Sequence, residues 1–509
     1  MKIGFGKAGV ASDHYLASLA ALEILREGGN AFDAALAVSA VLSVVQPQTS
    51  GLGGDGFLLA VLENEEIIIY NGSGRSPKNF PVDIYLEKRP LRGLLTITIP
   101  GLIDLWGFVY ENYATLDMER ILRPAISLAL NGFHIGVSLA RSIAQLEKEL
   151  GREPEYKNWF DLYSGYREGD FFINKDLGVI LRRIATRGWD EFYYGETAEE
   201  IVSELQKLGL DIGLDDFMEH RGYVDKPLRL DLETQILHEI PPNTQGISTL
   251  QMIDALYSEE LNKYDFEDPL RIIRWSEPVK KIYNFRDNYI GDINYMNIDP
   301  SRYLRYKDVK KLDLDKKDLY LRSGEDTTFF VVGDHHGNIV GFIQSLFYPF
   351  GSGVVAKGIV FQNRGAGFSY TRDKPNSPAP QKRPLHTLSI LMVRDYGKDS
   401  MYMIGCAGGH WRPQIHTRIY ENIFVYSMSL EQAIEAPRFI YDYSEYSYEI
   451  NRVLIENYLR PPEKTEYSIH YMKKLGGTGL VNILRRDLKR GLVSVASDPR
   501  SEGVALSLN

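Results

Sequence analysis

Apolar residues recur at helical spacing over residues 15–27, and the glycines of "REGGN" then stop the pattern, which predicts a first helix. A second predicted helix, residues 31–45, is apolar on nearly every face and closes at Gln46-Pro47, so it is expected to be buried. Beyond "SGLGGDG", two short apolar runs at 57–62 and 67–70 flank the polar "ENEE" and read as strands. From Gly101 to about Pro300 the chain is expected to be mostly helical, with breaks at "GREPEYKNW" and "EIPPNTQG". The pattern changes at Thr327, where "TTFFVVGDHHGNIVGFIQS" reads as two strands and a tight turn. With His335-His336-Gly337 as the loop and Gly337 left-handed, Asp334 pairs with Asn338, and the register sets Thr327 opposite Ser345. A second hairpin is expected from 388–393 and 401–406 around "RDYGKD", followed by a helix over 412–427 and more strands. Strand pairs early and late with helices between them predict an α/β fold of two packed sheets covered by helices, a four-layer αββα sandwich.

Composition narrows the function. The 509 residues carry 58 Lys plus Arg against 68 Asp plus Glu, a formal charge of −10, and no long basic run, which disfavours nucleic acid. The single cysteine, Cys406, excludes an intramolecular disulfide and any Cys cluster for a metal. The N-terminus lacks the charged and apolar regions of a signal peptide, and no apolar run approaches the ~20 residues of a membrane span. A cytoplasmic location is the expectation.

Several segments could carry chemistry, each with a plainer alternative. "SGLGGDGF" lacks the Lys-Ser/Thr of a phosphate loop and lies between helix and strand in the wrong order, so a tight backbone turn is the better reading. In "DHHG" the adjacent histidines are expected to point apart, which favours a solvated turn over a metal site. Cys406, in an apolar strand, reads as buried and inert. "GEDTTFF" places an Asp326–Thr327 bond at the start of an apolar strand. Taken alone, Thr327 is simply a good strand residue. Were its amine freed, that amine (ordinary pKa ~7.7–8.0) could take the hydroxyl proton and make Thr327 a nucleophile. "CAGGH" joins a strand to a helix, and the amides of Gly408 and Gly409 could meet a developing oxyanion or merely form a turn. Arg75, in "NGSGRSP", either holds a carboxylate through its planar fork or is solvated.

These segments coincide with one family's pattern. "GVASDHYLASLAALEILREGGNAFDAALAVSAVLSVVQPQTSGLGGDGF", "TITIPGLIDLWGFVYENYATL", "RPAISLALNGF", "DTTFFVVGDHHGNIVGFIQSLFYPFGSGVV", "KRPLHT", "AGGH" and "SDPRSEGVALS" together resemble the gamma-glutamyltranspeptidases, over essentially the whole chain. The weaker stretch lies between about Gly151 and Ser323. The resemblance implies an N-terminal-nucleophile hydrolase of the αββα type that cuts itself between Asp326 and Thr327. A large subunit, 1–326, and a small one, 327–509, would then stay associated as one folded unit. It also implies that Thr327 forms an acyl-enzyme, that Ser345 stands where the family has a Thr touching the nucleophile, and that Gly408 and Gly409 form the oxyanion hole. Arg75 matches the arginine that holds a glutamyl α-carboxylate, and His386 and Thr387 fill the place of a serine pair in that pocket. No cofactor and no metal are implied.

Three departures bear on the substrate. Phe347 stands for an Asn, and in "QNRGAGF" Arg364 replaces a Gln while Gly367 replaces an Asp; those family residues bind the substrate α-amino group. The run 370–381 is also shorter than the family's lid loop. The chain therefore resembles the acylase-like and oxamate-amidohydrolase-like branches, and the expected partner is a small acyl amide bearing a carboxylate. A gamma-glutamyltransferase acting on glutathione-like compounds is the same-fold alternative. An unprocessed, nonenzymatic relative that binds a ligand or partner is the alternative of another class. A homo-oligomer is compatible with the sequence; nucleic acid and membrane are not expected partners.

Overall fold

The computed structural model describes residues 3–314, 326–443, 450–456, 459–472 and 477–509. Gly324 and Glu325, just ahead of the expected cleavage bond, lie outside the described residues. Two seven-stranded antiparallel sheets face each other. In one, the order is Ile3–Gly6, Leu492–Ser497, Leu480–Asp487, Ser400–Ala407, Leu391–Asp395, Gln235–Glu239 and Leu228–Asp231. In the other it is Val504–Leu508, Ala8–Ser12, Asp326–Gly333, Ile339–Phe347, Asp55–Val61, Ile67–Gly72 and Tyr223–Asp225.

Side-chain alternation builds the layers. Successive residues of a strand point to opposite faces. In Asp326–Gly333, Phe329 and Val331 join Phe57, Leu59, Ile390, Met403 and Val495 in a core between the sheets. Phe330 and Val332 point outward, against the helices Tyr15–Arg26, Ala31–Val45 and Leu102–Tyr113. The other sheet packs Tyr402, Ile404 and Cys406 against Gly246–Ser258, Ser276–Tyr289 and Arg412–Phe424. This is the expected αββα sandwich. Ala31–Val45 is buried along its whole length, as its all-round apolar character requires.

Some expectations need correction. The 101–300 stretch is mostly helical, as expected, but it also contributes Tyr223–Asp225, Leu228–Asp231 and Gln235–Glu239, which extend the two sheets at their edges. The N-terminal residues form the strands Ile3–Gly6 and Ala8–Ser12, which complete both sheets by pairing with the C-terminal strands. The second hairpin begins at Leu391 rather than at residue 388, since the 385–390 segment is spent on loop contacts described below. His335 and His336 do not point apart: their ring centroids are 3.8 Å apart on the exposed turn, where strand alternation no longer applies. Among the described residues no helix is long and apolar enough to cross a membrane, and no group of three or more His, Cys, Asp or Glu is arranged to hold a metal. Each sheet takes strands from both sides of residue 327, so a cut there would leave two chains interleaved in both sheets.

Candidate active site

The site lies at the end of the Asp326–Gly333/Ile339–Phe347 hairpin remote from its turn. From Gly333↔Ile339 to Thr328↔Gln344 the ladder is regular, which is the expected register, but a bulge intervenes and Asp326 pairs with Phe347. Bulges bend a strand and re-aim a side chain. Here Thr327, only 3% exposed, turns its hydroxyl to Ser345 and donates to Ser345 Oγ at 3.3 Å. The Phe347 amide donates to the same oxygen at 2.8 Å. Phe347 has φ +84, a conformation that costs a bulky side chain strain. Its ring stacks on Tyr348, with centroids 4.7 Å apart, and lines a cleft shared with Ala366, Gly367, Phe368, Leu385 and His410.

Arg364 points inward. Its guanidinium lies over the Phe347 ring, 4.1 Å from the centroid, and donates to Ser345 Oγ at 3.5 Å and Thr387 Oγ1 at 3.4 Å. Both hydrogen bonds are long, and the buried Nε has no partner. Burial pulls the Arg364 pKa down to about 9, against the pull of Asp55 in the other direction. Burial likewise pushes Asp55 up to about 6, although Arg364 favours its charged form. At neutral pH both groups are therefore charged. Asp55 also organises the site: it meets His386 Nε2 at 3.1 Å, accepts from Gln362 Nε2 at 2.8 Å, and accepts from the Gly74 and Gly101 amides at 2.9 and 3.2 Å. His386 is fully buried, and burial together with the nearby Arg364 and Arg412 charges keeps its pKa well below 6.5, hence neutral.

Gly408 and Gly409 join the strand Ser400–Ala407 to the short turn of helix Gly409–Trp411. The Trp411 amide donates to the Gly408 carbonyl at 2.8 Å, and Gln245 Nε2 donates to the Gly409 carbonyl at 2.8 Å. The amides of Gly408 and Gly409 themselves donate to no acceptor among the described residues. Two vacant amides beside a cleft are suited to an anionic oxygen. The turn adjoins the hairpin end, since the His410 and Phe347 rings lie 6.1 Å apart. Gly405, three residues earlier, packs against the Phe329 ring so closely that a Cβ would stand 2.4 Å from it.

Thr327, Ser345, Phe347, Arg364 and Thr387 thus form one contact chain, and His386 joins it through Asp55. Arg75 stands apart. It is half-buried, its guanidinium makes no hydrogen bond or ion pair among the described residues, and its charge lies near Arg383 and His220. Only its loop is tied to the rest, through the Gly74 amide on Asp55 and the Ser73–Asn71–Asn243 hydrogen bonds. Sequence reasoning missed Asp55, Asn243 and Gln245. The available signal was polarity out of place: an acid inside a glycine run, and "NTQ" between a strand and an apolar helix.

A model of gamma-glutamyltranspeptidase matches residues 17–508. The chain belongs to the gamma-glutamyltranspeptidase family. It is 35% identical to the glutathione hydrolase-like YwrD proenzyme of Bacillus subtilis, over 98% of each chain. It is 31% identical to the oxamate amidohydrolase proenzyme of Klebsiella pneumoniae, over 97% of each chain. The cephalosporin acylase of Bacillus halodurans superposes with a TM-score of 0.88 at 26% identity, covering 100% of this chain and 97% of that one. As a gamma-glutamyltranspeptidase-family protein this is an N-terminal-nucleophile enzyme of the hydrolase and transferase type, which sets aside the nonenzymatic alternative.

Proposed function

We propose that the chain cleaves itself between Asp326 and Thr327 and then hydrolyses a small acyl amide that carries a carboxylate, through an acyl-enzyme on Thr327. The observation that carries this reading is the contact chain from the Thr327 hydroxyl to Ser345 Oγ and on to a buried guanidinium that, among the described residues, is hydrogen-bonded to no carboxylate. In the first step Thr327 Oγ1 attacks the Asp326 carbonyl, the peptide C–N bond breaks, and the resulting ester is opened by water. Residues 1–326 become the large subunit and 327–509 the small one. The new amine then takes the hydroxyl proton as Thr327 attacks the substrate carbonyl, the amide's amine leaves with a proton, and water resolves the ester. The Gly408 and Gly409 amides hold the negative oxygen of each tetrahedral intermediate. The word proenzyme in the names of both similar relatives agrees with self-cleavage.

Arg364 argues for the acyl group. Arg364 feels the Asp55 charge but is hydrogen-bonded only to two hydroxyls over long distances, and a substrate carboxylate would supply a direct partner in a bidentate fork. A substrate α-ammonium in the same place meets Arg364 and the Phe347 ring, and Gly367 offers it no acid. Glutaryl, succinyl or oxalyl amides are therefore preferred over γ-glutamyl amides. Arg75, whose loop is tied to Asp55 through the Gly74 amide, is the candidate for a second contact to the acyl carboxylate, with His386 and Thr387 beside Arg364 and Asp55. The gamma-glutamyltransferase reading retains support from the glutathione hydrolase-like relative. Anilide substrates with one leaving group and different acyl groups separate the two. Higher kcat/KM for glutaryl or oxalyl than for γ-glutamyl supports the proposal, and an inert glutaryl anilide beside an active γ-glutamyl anilide overturns it.

A further inference from the structure

Gln245 sits at the N-terminal end of the helix Gly246–Ser258, in the half of the chain that precedes Thr327, and its side chain is fully buried. Its Oε1 accepts from Arg286 Nη1 at 2.7 Å. A guanidinium can only donate, so this bond decides which end of the amide is oxygen. The Nε2 end must then face the other way, where it donates to two carbonyls, Thr387 at 2.9 Å and Gly409 at 2.8 Å. Arg286 is in turn held by Asp287, with Nε to Oδ1 at 2.8 Å, and Asp287 lines the cleft. The Gln245 backbone amide also donates to the His386 carbonyl at 3.0 Å. One side chain thereby ties the wall segment that contains His386 and Thr387 to the turn that contains Gly408 and Gly409.

The Gly409 carbonyl is the lever. Gly409 adopts φ +49, and the direction of its own carbonyl defines the ψ that accompanies it. The Gly408 carbonyl is fixed by Trp411, and the Gly409 N–H is trans to that carbonyl in the same peptide plane. With both carbonyls pinned, the plane that carries the Gly409 N–H cannot rotate. Remove the Gln245 donor and the Gly409 carbonyl loses its anchor, so only the Trp411 bond still restrains the plane that carries the Gly409 N–H.

We infer that Gln245 is a positioning residue for the oxyanion turn, acting across the cleavage boundary: the 1–326 segment holds in register the amides that the 327–509 segment presents. The inference rests on the reading of Gly408 and Gly409 as oxyanion donors. Gln245→Met keeps the length and removes the donors. Gln245→Asn keeps an amide, one methylene too short to span both carbonyls.

The test is steady-state kinetics of both variants on the best anilide substrate, using purified protein whose two fragments are first seen on a denaturing gel. Because losing one oxyanion donor costs about 10²–10³ in turnover, losing its alignment is expected to lower kcat about 10- to 100-fold in Gln245→Met, with KM within about threefold. Gln245→Asn falls between that variant and wild type. A folded, processed variant with wild-type kcat overturns the inference, as does a rise in KM alone, which would assign Gln245 to the substrate pocket. Failure of both variants to fold overturns it too, by assigning the clasp to stability. A wild type that is active while uncut, or a Thr327→Ala protein that is active, instead overturns the underlying reading of the nucleophile and is seen before any Gln245 variant is made.

Discussion

The two ends of one hairpin behave as different materials. At the turn, the Asp334 carboxylate accepts from the Gly337 and Asn338 amides at 2.9 and 3.0 Å, and from the Ala31 amide at 2.9 Å, which fastens the turn to the buried helix Ala31–Val45. The register there is regular, and the two histidines face solvent. Nine residues away along Ile339–Phe347 the ladder is bulged, Phe347 carries φ +84, and buried charges replace apolar neighbours. Such strain costs on the order of 1–3 kcal/mol and persists only where surrounding contacts hold it. Regularity serves the fold at one end; at the other, the departures from it put a hydroxyl, a guanidinium and a ring in contact.

Breaking the site end should have effects that breaking the turn end does not. The largest is expected for Thr327→Ala, which removes the oxygen proposed to attack: the chain stays full length on a denaturing gel and amidase activity falls to background. Next comes Gly409→Val. A β-branched residue at φ +49 cannot keep the turn, and kcat is expected to drop about 10²–10³-fold with KM little changed, measured on folded, processed protein.

Selectivity sharpens the comparison. Arg364→Gln combined with Gly367→Asp should move the glutaryl to γ-glutamyl ratio of kcat/KM by about tenfold or more towards γ-glutamyl, each 1.4 kcal/mol being about one factor of ten. A Cβ at residue 367 meets the Leu385 carbonyl at 3.1 Å, so this change shifts the 384–386 loop slightly and the ratio, rather than the absolute rate, is the readout.

A smaller effect concerns pH. Burial raises Asp55 to about 6 from 3.8, so the folded protein holds this proton more tightly than the unfolded chain does. That contribution to stability is complete below about pH 4, declines as pH rises towards about 6, and is gone above it. The two-unit shift corresponds to roughly 3 kcal/mol at most. Urea unfolding at pH 4 to 7 should show a fall in stability for wild type that Asp55→Asn lacks; equal slopes for both proteins would contradict the assignment. At the turn end, His335→Ala with His336→Ala should leave kcat/KM within about twofold. A large loss there would mean that the turn contributes to chemistry after all.

Much of this was legible in the sequence, and the exceptions have a physical pattern. Residues 31–45 and the alternation of Phe329–Val332 declare their elements because burial alone decides them. The register as far as Thr328–Gln344 followed from counting outward from Gly337, whereas Thr327 itself falls in the bulge and meets Ser345 through a side-chain hydrogen bond. The bulge did not follow from the count, because nothing in "DTTF" or "QSLF" differs locally from a regular strand. Strands such as Gln235–Glu239 lay hidden within a helical stretch: they pair with Leu228–Asp231 on one side and with Leu391–Asp395, more than 150 residues away, on the other. Likewise, the identity of Arg364 was visible but its inward direction was not, and Gln245 acquires meaning only once Thr387, Gly409 and Arg286 surround it.

The most direct test of the Thr327 mechanism is intact-mass measurement of the purified wild-type protein under denaturing conditions, paired with an activity assay on the same sample. Two species are expected, with masses corresponding to residues 1–326 and 327–509, and activity in proportion to the cleaved fraction. A single uncut mass in a fully active sample, or a cut anywhere other than Asp326–Thr327, would contradict it.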